Sequence, residues 1–160
     1  MVAHRRTVHG MTAAEARSKE FLLASEIARL LCAAKDGPHG IRDHALLLIM
    51  HRHALRVCEL VRLRTDKVNL IEGRLSIKRG KGSLDSEEAL DSDEVRTLKR
   101  YLATREDFLP WLFVSRGQQM RRAMVTNIIG DASKRAGLAH VRSRVLSNPF
   151  PRALTGETST

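Results

Sequence analysis

The chain has 160 residues, and its 28 Lys and Arg against 18 Asp and Glu give a net charge of +10 at pH 7. This length allows one ordinary domain, with or without a tail, and excludes a large multidomain protein. The longest apolar run covers only residues 45–50, far fewer than the roughly 20 that a membrane helix needs, so we expect no membrane partner.

The first part of the chain predicts three helices. Residues 1–20 lack a sustained apolar period, and we expect a poorly ordered leader there. Ser25 is a candidate N-cap for a helix that ends at Gly37. Apolar residues at helical spacing predict a second, largely buried helix over 41–53 and a third over 56–63.

Short strands and two further helices follow, because the apolar period changes from helical spacing to strict alternation and back. The predicted elements are strands over 68–70, 75–77, 88–90 and 112–114, a flexible tip at 80–83, a helix that begins at the capping box of Asp91 and Glu94, and a helix over 125–136. The chain is therefore predicted to be mainly α with a small antiparallel β-sheet, an α+β fold.

The end of the chain has a different character. Beyond His140 neither period is present, and Pro149 and Pro151 break any helix. We expect residues 139–160 to be a non-homologous, disordered tail.

Positive charge is concentrated towards this end. Between Ser115 and Arg152 there are eight Lys and Arg against the single anion Asp131. A cluster of this kind favours nucleic acid as the partner over a merely soluble surface.

Five motifs occur in order along the chain: H-R-H-A-L-R-V-C-E-L at 51–60, L-R-T-D-K-V-N-L at 63–70, G-R-L-S-I-K-R-G-K-G at 73–82, F-V-S-R-G at 113–117 and K-R-A-G-L at 134–138. In residues and order they resemble the catalytic domain of the tyrosine recombinases, the phage-integrase family, and within it the fimbrial-switch invertases. Residues 21–138 are then the N-terminal portion of an integrase-type catalytic domain. The resemblance implies breakage and rejoining of double-stranded DNA through a 3′-phosphotyrosyl intermediate, with no metal, no cofactor and no small-molecule substrate.

The resemblance also implies roles for individual side chains. Arg56 matches the first family arginine, which neutralises phosphate oxygens, and Lys81 matches the turn lysine that protonates the departing 5′-oxygen. Glu59 matches the acidic position that supports the arginine. Lys78 and Arg79 are close enough to Lys81 to serve in its place, and an Arg or Lys at such positions can also simply be solvated. The candidate contacts to DNA phosphates are Lys78, Arg79, Arg116, Arg121, Arg122, Lys134 and Arg135.

Part of the family pattern is missing. No H-x-x-R follows Leu138, and the single tyrosine, Tyr101, lies within a predicted helix and is interpreted as packing, so no nucleophile is assigned. We therefore expect a C-terminally truncated catalytic domain that is inactive alone, with Leu46, Leu48 and Leu60 partly uncovered.

Two alternative functions remain. The first is a non-catalytic DNA-binding fragment that competes with or regulates an intact recombinase, whose protomers would then be partners. The second is a small helix-turn-helix regulator, which the strand pair with its Gly-Lys-Gly tip disfavours.

The remaining residue types predict no further site. His51 and His53 are two positions apart and point to different helix faces, and Cys32 and Cys58 lack the spacing of a metal site, so no metal site is expected. The N-terminus has no apolar stretch typical of a secretion signal. We expect a cytoplasmic, nucleoid-associated protein.

Overall fold

The computed structural model of the chain describes residues 22–80, 84–139 and 141–147. Its helices are α1 (Ala24–Ala34), α2 (Gly40–Arg52), α3 (Val57–Val61), α4 (Ser92–Ala103), α5 (Arg122–Arg135) and α6 (Ser143–Leu146). Its strands are β1 (Val68–Asn69), β2 (Arg74–Ile77), β3 (Ser86–Ala89), β4 (Val114–Ser115) and β5 (Gln118–Gln119), and a 3₁₀ turn, Thr65–Lys67, precedes β1. The predicted α+β fold class is confirmed.

Three of the helices begin in the same way. A glutamate at the third helical position accepts the backbone N–H of the residue just before the helix, which satisfies a free donor and places negative charge at the positive end of the helix. The pairs are Leu23 with Glu26 at 2.8 Å, Arg56 with Glu59 at 2.9 Å and Asp91 with Glu94 at 2.8 Å. The predicted start of α4 is thereby confirmed, whereas Ser25 lies inside α1 and is not its N-cap.

The main sheet has the order β1-β2-β3 and is antiparallel throughout. Val68 lies opposite Leu75, and Ile77 lies opposite Ser86. Along β2 the side chains alternate, with Leu75 and Ile77 buried and the two between and before them exposed. The second sheet is the short hairpin of β4 and β5, so the strand predicted over 112–114 begins later than expected.

The core is built around α2, in which every side chain from Ala45 to Met50 is buried. Helices α1, α3 and α4 pack against it, and α5 packs against α1 and α3. Leu46 and Leu60 are 0% exposed and Leu48 is 4% exposed. The expectation that these three leucines are uncovered is therefore wrong, because the helices present enclose them.

Part of the predicted tail is ordered on the core. Val141 and Leu146 are buried, and the Nδ1–H of His51 donates a hydrogen bond of 3.0 Å to the carbonyl of Leu146. Two apolar residues five positions apart are too few to produce a periodic signal, which is why the sequence predicts disorder there. The predicted leader, the tip at 81–83 and the tail from 148 onward lie outside the described residues.

None of the helices in the described ranges is long and apolar enough to cross a bilayer.

The closed core gives a stability prediction. Replacing Leu46, which is fully buried, with alanine should lower the free energy of unfolding by about 2–5 kcal/mol, because a cavity remains in close-packed surroundings. The same change at Leu84, which is 92% exposed, is the matched control and should have little effect. Urea unfolding followed by circular dichroism measures both, and equal losses would contradict a core centred on α2.

Candidate functional site

Arg56 is the residue immediately before α3, and its backbone is held on both sides. Leu55 is fully buried, and its N–H donates to the carbonyl of Met50 at 2.9 Å, which closes the end of α2. Ala54 adopts a positive φ of 49°, so the chain turns sharply at this point. The side chain of Arg56 is exposed and makes no hydrogen bond or ion pair to any residue in the described ranges. Its guanidinium is thus available to an external anion.

Glu59 supports Arg56 through the main chain. Its Oε2 accepts the backbone N–H of Arg56 at 2.9 Å and also Nη1 of Arg79 at 3.2 Å. The carboxylate is 8% exposed. The structure therefore pairs Glu59 with Arg79 and leaves the guanidinium of Arg56 free of it.

Arg79 lies inside the structure, although the sequence offers it as a phosphate contact. Its Nη2 donates to Glu88 Oε1 at 2.6 Å and to the carbonyl of His53 at 3.4 Å, and its Nε donates to Ser86 Oγ at 3.3 Å. Together with the Glu59 pair, these bonds engage every nitrogen of the guanidinium, whose side chain is only 20% exposed.

The direction of Arg79 has a signal in the sequence. Residues at i and i+2 of a strand share a face, so Arg79 continues the inward series of Leu75 and Ile77. Lys78, between Ile77 and Arg79 in the sequence, points outward, where it is exposed and forms no ion pair within the described ranges. Strict alternation thus assigns one of these two adjacent cations to the interior and the other to the surface.

His53, at the end of α2, is buried between two carboxylates. Its Nδ1 lies 2.5 Å from Glu88 Oε2, and its Nε2 lies 2.8 Å from Glu94 Oε1. Burial lowers the pKa of His53, but hydrogen bonds to Glu94 and Glu88 more than offset this and raise it above its ordinary value. Because carboxylates accept and do not donate, both ring nitrogens carry protons and the imidazole is cationic.

Glu88 is kept ionised by the same contacts. Burial raises its pKa, and hydrogen bonds from His53, Ser86 and Arg79 outweigh this effect and lower the pKa below its ordinary value. We call the five side chains that meet here the charged cluster: His53, Glu59, Arg79, Glu88 and Glu94.

The charged cluster connects four parts of the fold. It contains two cations and three carboxylates that come from the end of α2, the start of α3, the β2–β3 hairpin and the start of α4. Among the described side chains, no buried polar atom lacks a hydrogen-bond partner. The backbone around Arg56 and the hairpin whose tip includes Lys81 are therefore tied together, while Lys81 itself lies outside the described residues.

The other predicted cations form two groups at opposite ends of α5. Arg121 and Arg122 lie at its start and Lys134 and Arg135 at its end, about 20 Å away by helical rise. All four are exposed, as is Arg116 in the β4–β5 turn. The start of α5 belongs with α3, because Gln119 Nε2 just before it donates to the carbonyl of Val61 at 2.9 Å. The far pair is separate, with the guanidinium of Arg135 lying over Gly37 between α1 and α2.

A small cleft of about 300 Å³ lies between α3 and the sheet beside Glu59. Besides Arg64, which pairs with Asp66, its rim carries three exposed cations that form no ion pair within the described ranges: Arg62, Lys67 and Lys78. Two of them, Arg62 and Lys67, are missed by the sequence, because a single basic residue on a short helix or turn has no pattern of its own. A larger groove of about 750 Å³ between α1, α2 and α4 is lined by none of the predicted site residues.

Three carboxylates at the start of α4 lie close together, with oxygens of Asp91, Asp93 and Glu94 within 4.8 Å of one another. Cations of the chain already neutralise them: Arg52 pairs with Asp91 at 3.1 Å and with Asp93 at 2.8 Å, and His53 pairs with Glu94. This arrangement fixes α4 to the end of α2.

Tyr101 packs in the interior, as the sequence predicts. It is 3% exposed, its ring stacks on Phe113 with centroids 5.4 Å apart, and its hydroxyl accepts the backbone N–H of Val114 at 3.4 Å. Burial raises its pKa above the ordinary value. In this position the hydroxyl is buried and bonded to the main chain, which fits a packing role for Tyr101.

The charged cluster predicts how stability depends on pH. A raised pKa in the folded state means that the contribution of His53 is complete below its ordinary value of 6.5 and is lost as the pH rises through the folded value. Unfolding free energy should therefore decrease as the pH rises above 6.5 through the raised pKa of folded His53, and His53→Gln should remove most of that slope. Urea denaturation across this range measures it, with the exposed His39→Gln as control. A slope that is unchanged in His53→Gln would contradict a cationic His53.

Comparison with known proteins identifies a family that shares this sequence and architecture. The model of the phage integrase family matches residues 20–154. The type 1 fimbriae regulatory protein FimB of Escherichia coli K12 is 34% identical over 131 residues, which cover 79% of this chain and 66% of FimB. The crystal structure of XerA recombinase superposes with a TM-score of 0.70 at 28% identity, covering 79% of this chain and 47% of that one.

A further solved structure shares the fold alone. XerH site-specific recombinase, crystallised with its difH substrate, has a TM-score of 0.68 at 20% identity, over 82% of this chain and 41% of XerH. The chain thus spans about two thirds of the length of FimB and less than half of these two solved recombinase chains. With most of its length matched by the family model and by FimB, the chain belongs to the phage integrase family, the tyrosine recombinases.

Proposed function

We propose that this chain binds duplex DNA and that Arg56 contacts a backbone phosphate at the position where its relatives carry out recombination. The observation that carries this proposal is the contrast at the start of α3, where the main chain of Arg56 is fixed by Glu59 while its guanidinium is exposed and unpaired within the described ranges. A cation held in place in this way binds phosphate without first reorganising.

The surrounding charge supports a DNA surface. Cations from three neighbouring elements accompany Arg56: Arg62 and Lys67 after α3, Lys78 at the end of β2, and Arg121 and Arg122 at the start of α5. Neutralising several phosphates releases counterions, so binding should weaken strongly as salt is added. Lys134 and Arg135, at the far end of α5, belong to this surface only if the DNA extends along the helix.

Lys81 completes the proposed phosphate site. By resemblance to the family, it is the general acid that donates a proton to the departing 5′-oxygen. Arg79, two positions before Lys81 in the sequence, belongs to the charged cluster and is bonded to Glu59, which holds the backbone of Arg56.

We propose that this chain, acting alone, does not cleave DNA. Its single tyrosine is Tyr101, which is buried against Phe113 and unable to reach a phosphate. A recombination site with fixed cations but no nucleophile binds phosphate and leaves it intact. Recombination would then need an intact protomer as partner.

The same observation supports a second candidate function, competition with an intact recombinase for its DNA site. This function places the protein in the cytoplasm, at the nucleoid. We also propose that the domain begins near residue 21 and extends past 138 to at least 147, because Val141 and Leu146 are part of its core.

Arg56→Ala should weaken duplex binding by about tenfold or more and reduce the slope of log K against log salt by about one, since one phosphate contact is lost. Arg96→Ala removes the same charge from an exposed position on α4 and serves as the matched control. Fluorescence anisotropy with labelled duplex at several salt concentrations measures both. Equal effects of the two variants would show that Arg56 acts only through net charge.

A nicked suicide duplex tests the absence of cleavage. No covalent protein–DNA adduct should form with this chain, whereas an intact relative on its own site provides the positive control. Added in excess, the chain should slow recombination by that relative if it competes for the same DNA. An adduct that persists in denaturing gel electrophoresis would contradict the proposal.

A further inference from the structure

The guanidinium of Arg79 contacts the chain on both sides of Arg56. Three residues before Arg56, the carbonyl of His53 accepts Nη2 of Arg79 at 3.4 Å. Three residues after it, Glu59 accepts Nη1 at 3.2 Å and also holds the backbone N–H of Arg56. One planar group therefore spans the segment that presents the proposed phosphate ligand.

The same guanidinium holds the neck of the β2–β3 hairpin. Its bonds to Glu88 and Ser86 cross from β2 to β3, and the backbone N–H of Arg79 donates to Asp85 Oδ1 at 3.2 Å. Arg79 is thus the side chain that joins the base of this hairpin to the segment carrying Arg56.

We propose that Arg79 is a positioning residue that fixes the segment of Arg56 to the base of the β2–β3 hairpin, so that the guanidinium of Arg56 is held in place for a phosphate group. This inference rests on the proposed DNA-binding function. It replaces the direct phosphate contact that the sequence offers for Arg79, because the guanidinium nitrogens are already bonded within the protein.

The geometry requires an arginine. Four acceptors in different directions are served by the planar, multi-donor fork of a guanidinium, whereas the single ammonium of lysine lies at one point and reaches only part of them. Arg79→Lys therefore keeps the positive charge in the charged cluster but cannot bond all four acceptors at once. A residue that contacted phosphate as a point charge would largely tolerate this change.

A double-mutant cycle separates the two roles. Duplex affinity is measured for the full chain, Arg56→Ala, Arg79→Lys and the double variant, with Arg96→Lys, at an exposed arginine on α4 outside the proposed DNA surface, as the matched control. We expect Arg79→Lys to weaken binding about tenfold in the parent chain and to have no effect when Arg56 is already alanine. Equal losses in both backgrounds, or no loss in the parent chain while Arg56→Ala does weaken binding, would overturn the proposal.

Amide hydrogen exchange tests the same inference without DNA. The Arg56 amide should exchange about tenfold faster in Arg79→Lys, the factor for weakening one charge-assisted hydrogen bond, and should be unchanged in Arg96→Lys. Unchanged exchange in Arg79→Lys overturns the positioning role. If exchange accelerates but Arg56→Ala does not alter DNA affinity, the positioning role stands and the proposed DNA contact is overturned.

A second variant covers the case in which Arg79→Lys does not fold. Glu88→Gln keeps an acceptor of the same shape and removes only the charge that draws Arg79 towards β3. Its Arg56 amide should also exchange faster, and an unchanged rate in this variant would overturn the proposal equally. Circular dichroism establishes which variants are folded before either measurement is made.

Discussion

The pairing of a buried and a largely buried cation, His53 and Arg79, with three carboxylates in the charged cluster is the interaction on which the rest of this structure depends. Arg79 and His53 lie where α2, α3, α4 and the β2–β3 hairpin converge, and each is bonded to two carboxylates. Charges removed from water are tolerated only when they are paired and hydrogen-bonded, and removing one partner of such a pair costs about 3–5 kcal/mol. The cluster therefore permits one relative arrangement of these four elements.

This constraint separates the cations that hold the fold from those that face outward. On β2 the two classes lie side by side, with Lys78 exposed and Arg79 engaged by Glu59 and Glu88. A net charge of +10 measures only the sum of both classes. The surface available to an anion depends instead on which guanidinium and ammonium groups the carboxylates leave unpaired, and Arg56 is one of them.

The sequence predicts elements better than it predicts partners. Helical spacing locates α2 and the start of α4, and alternation locates β2, because these signals depend on local geometry and burial of one face. The convergence of His53 with Glu88 and Glu94 depends on contacts 35 and 41 positions apart, for which no local period exists. The packing of residues 141–147 on the core is not predicted for a related reason, since only two buried residues, Val141 and Leu146, attach this segment.

The family motifs add what periodicity lacks, because they relate Arg56 and Glu59 to a known chemistry. The roles that these motifs imply nevertheless match the structure only in part. Glu59 accepts a hydrogen bond from the main chain of Arg56, whereas the ion pair of its carboxylate is with Arg79. A fixed cation stabilises a bound phosphate whether or not the phosphate reacts, and only a nucleophile converts that stabilisation into rate. Under the proposed function, Arg56 stabilises a bound phosphate in its ground state, because the buried Tyr101 supplies no nucleophile. Affinity for DNA and cleavage of DNA are separable under this proposal, and the charged cluster acts on affinity through the position of Arg56.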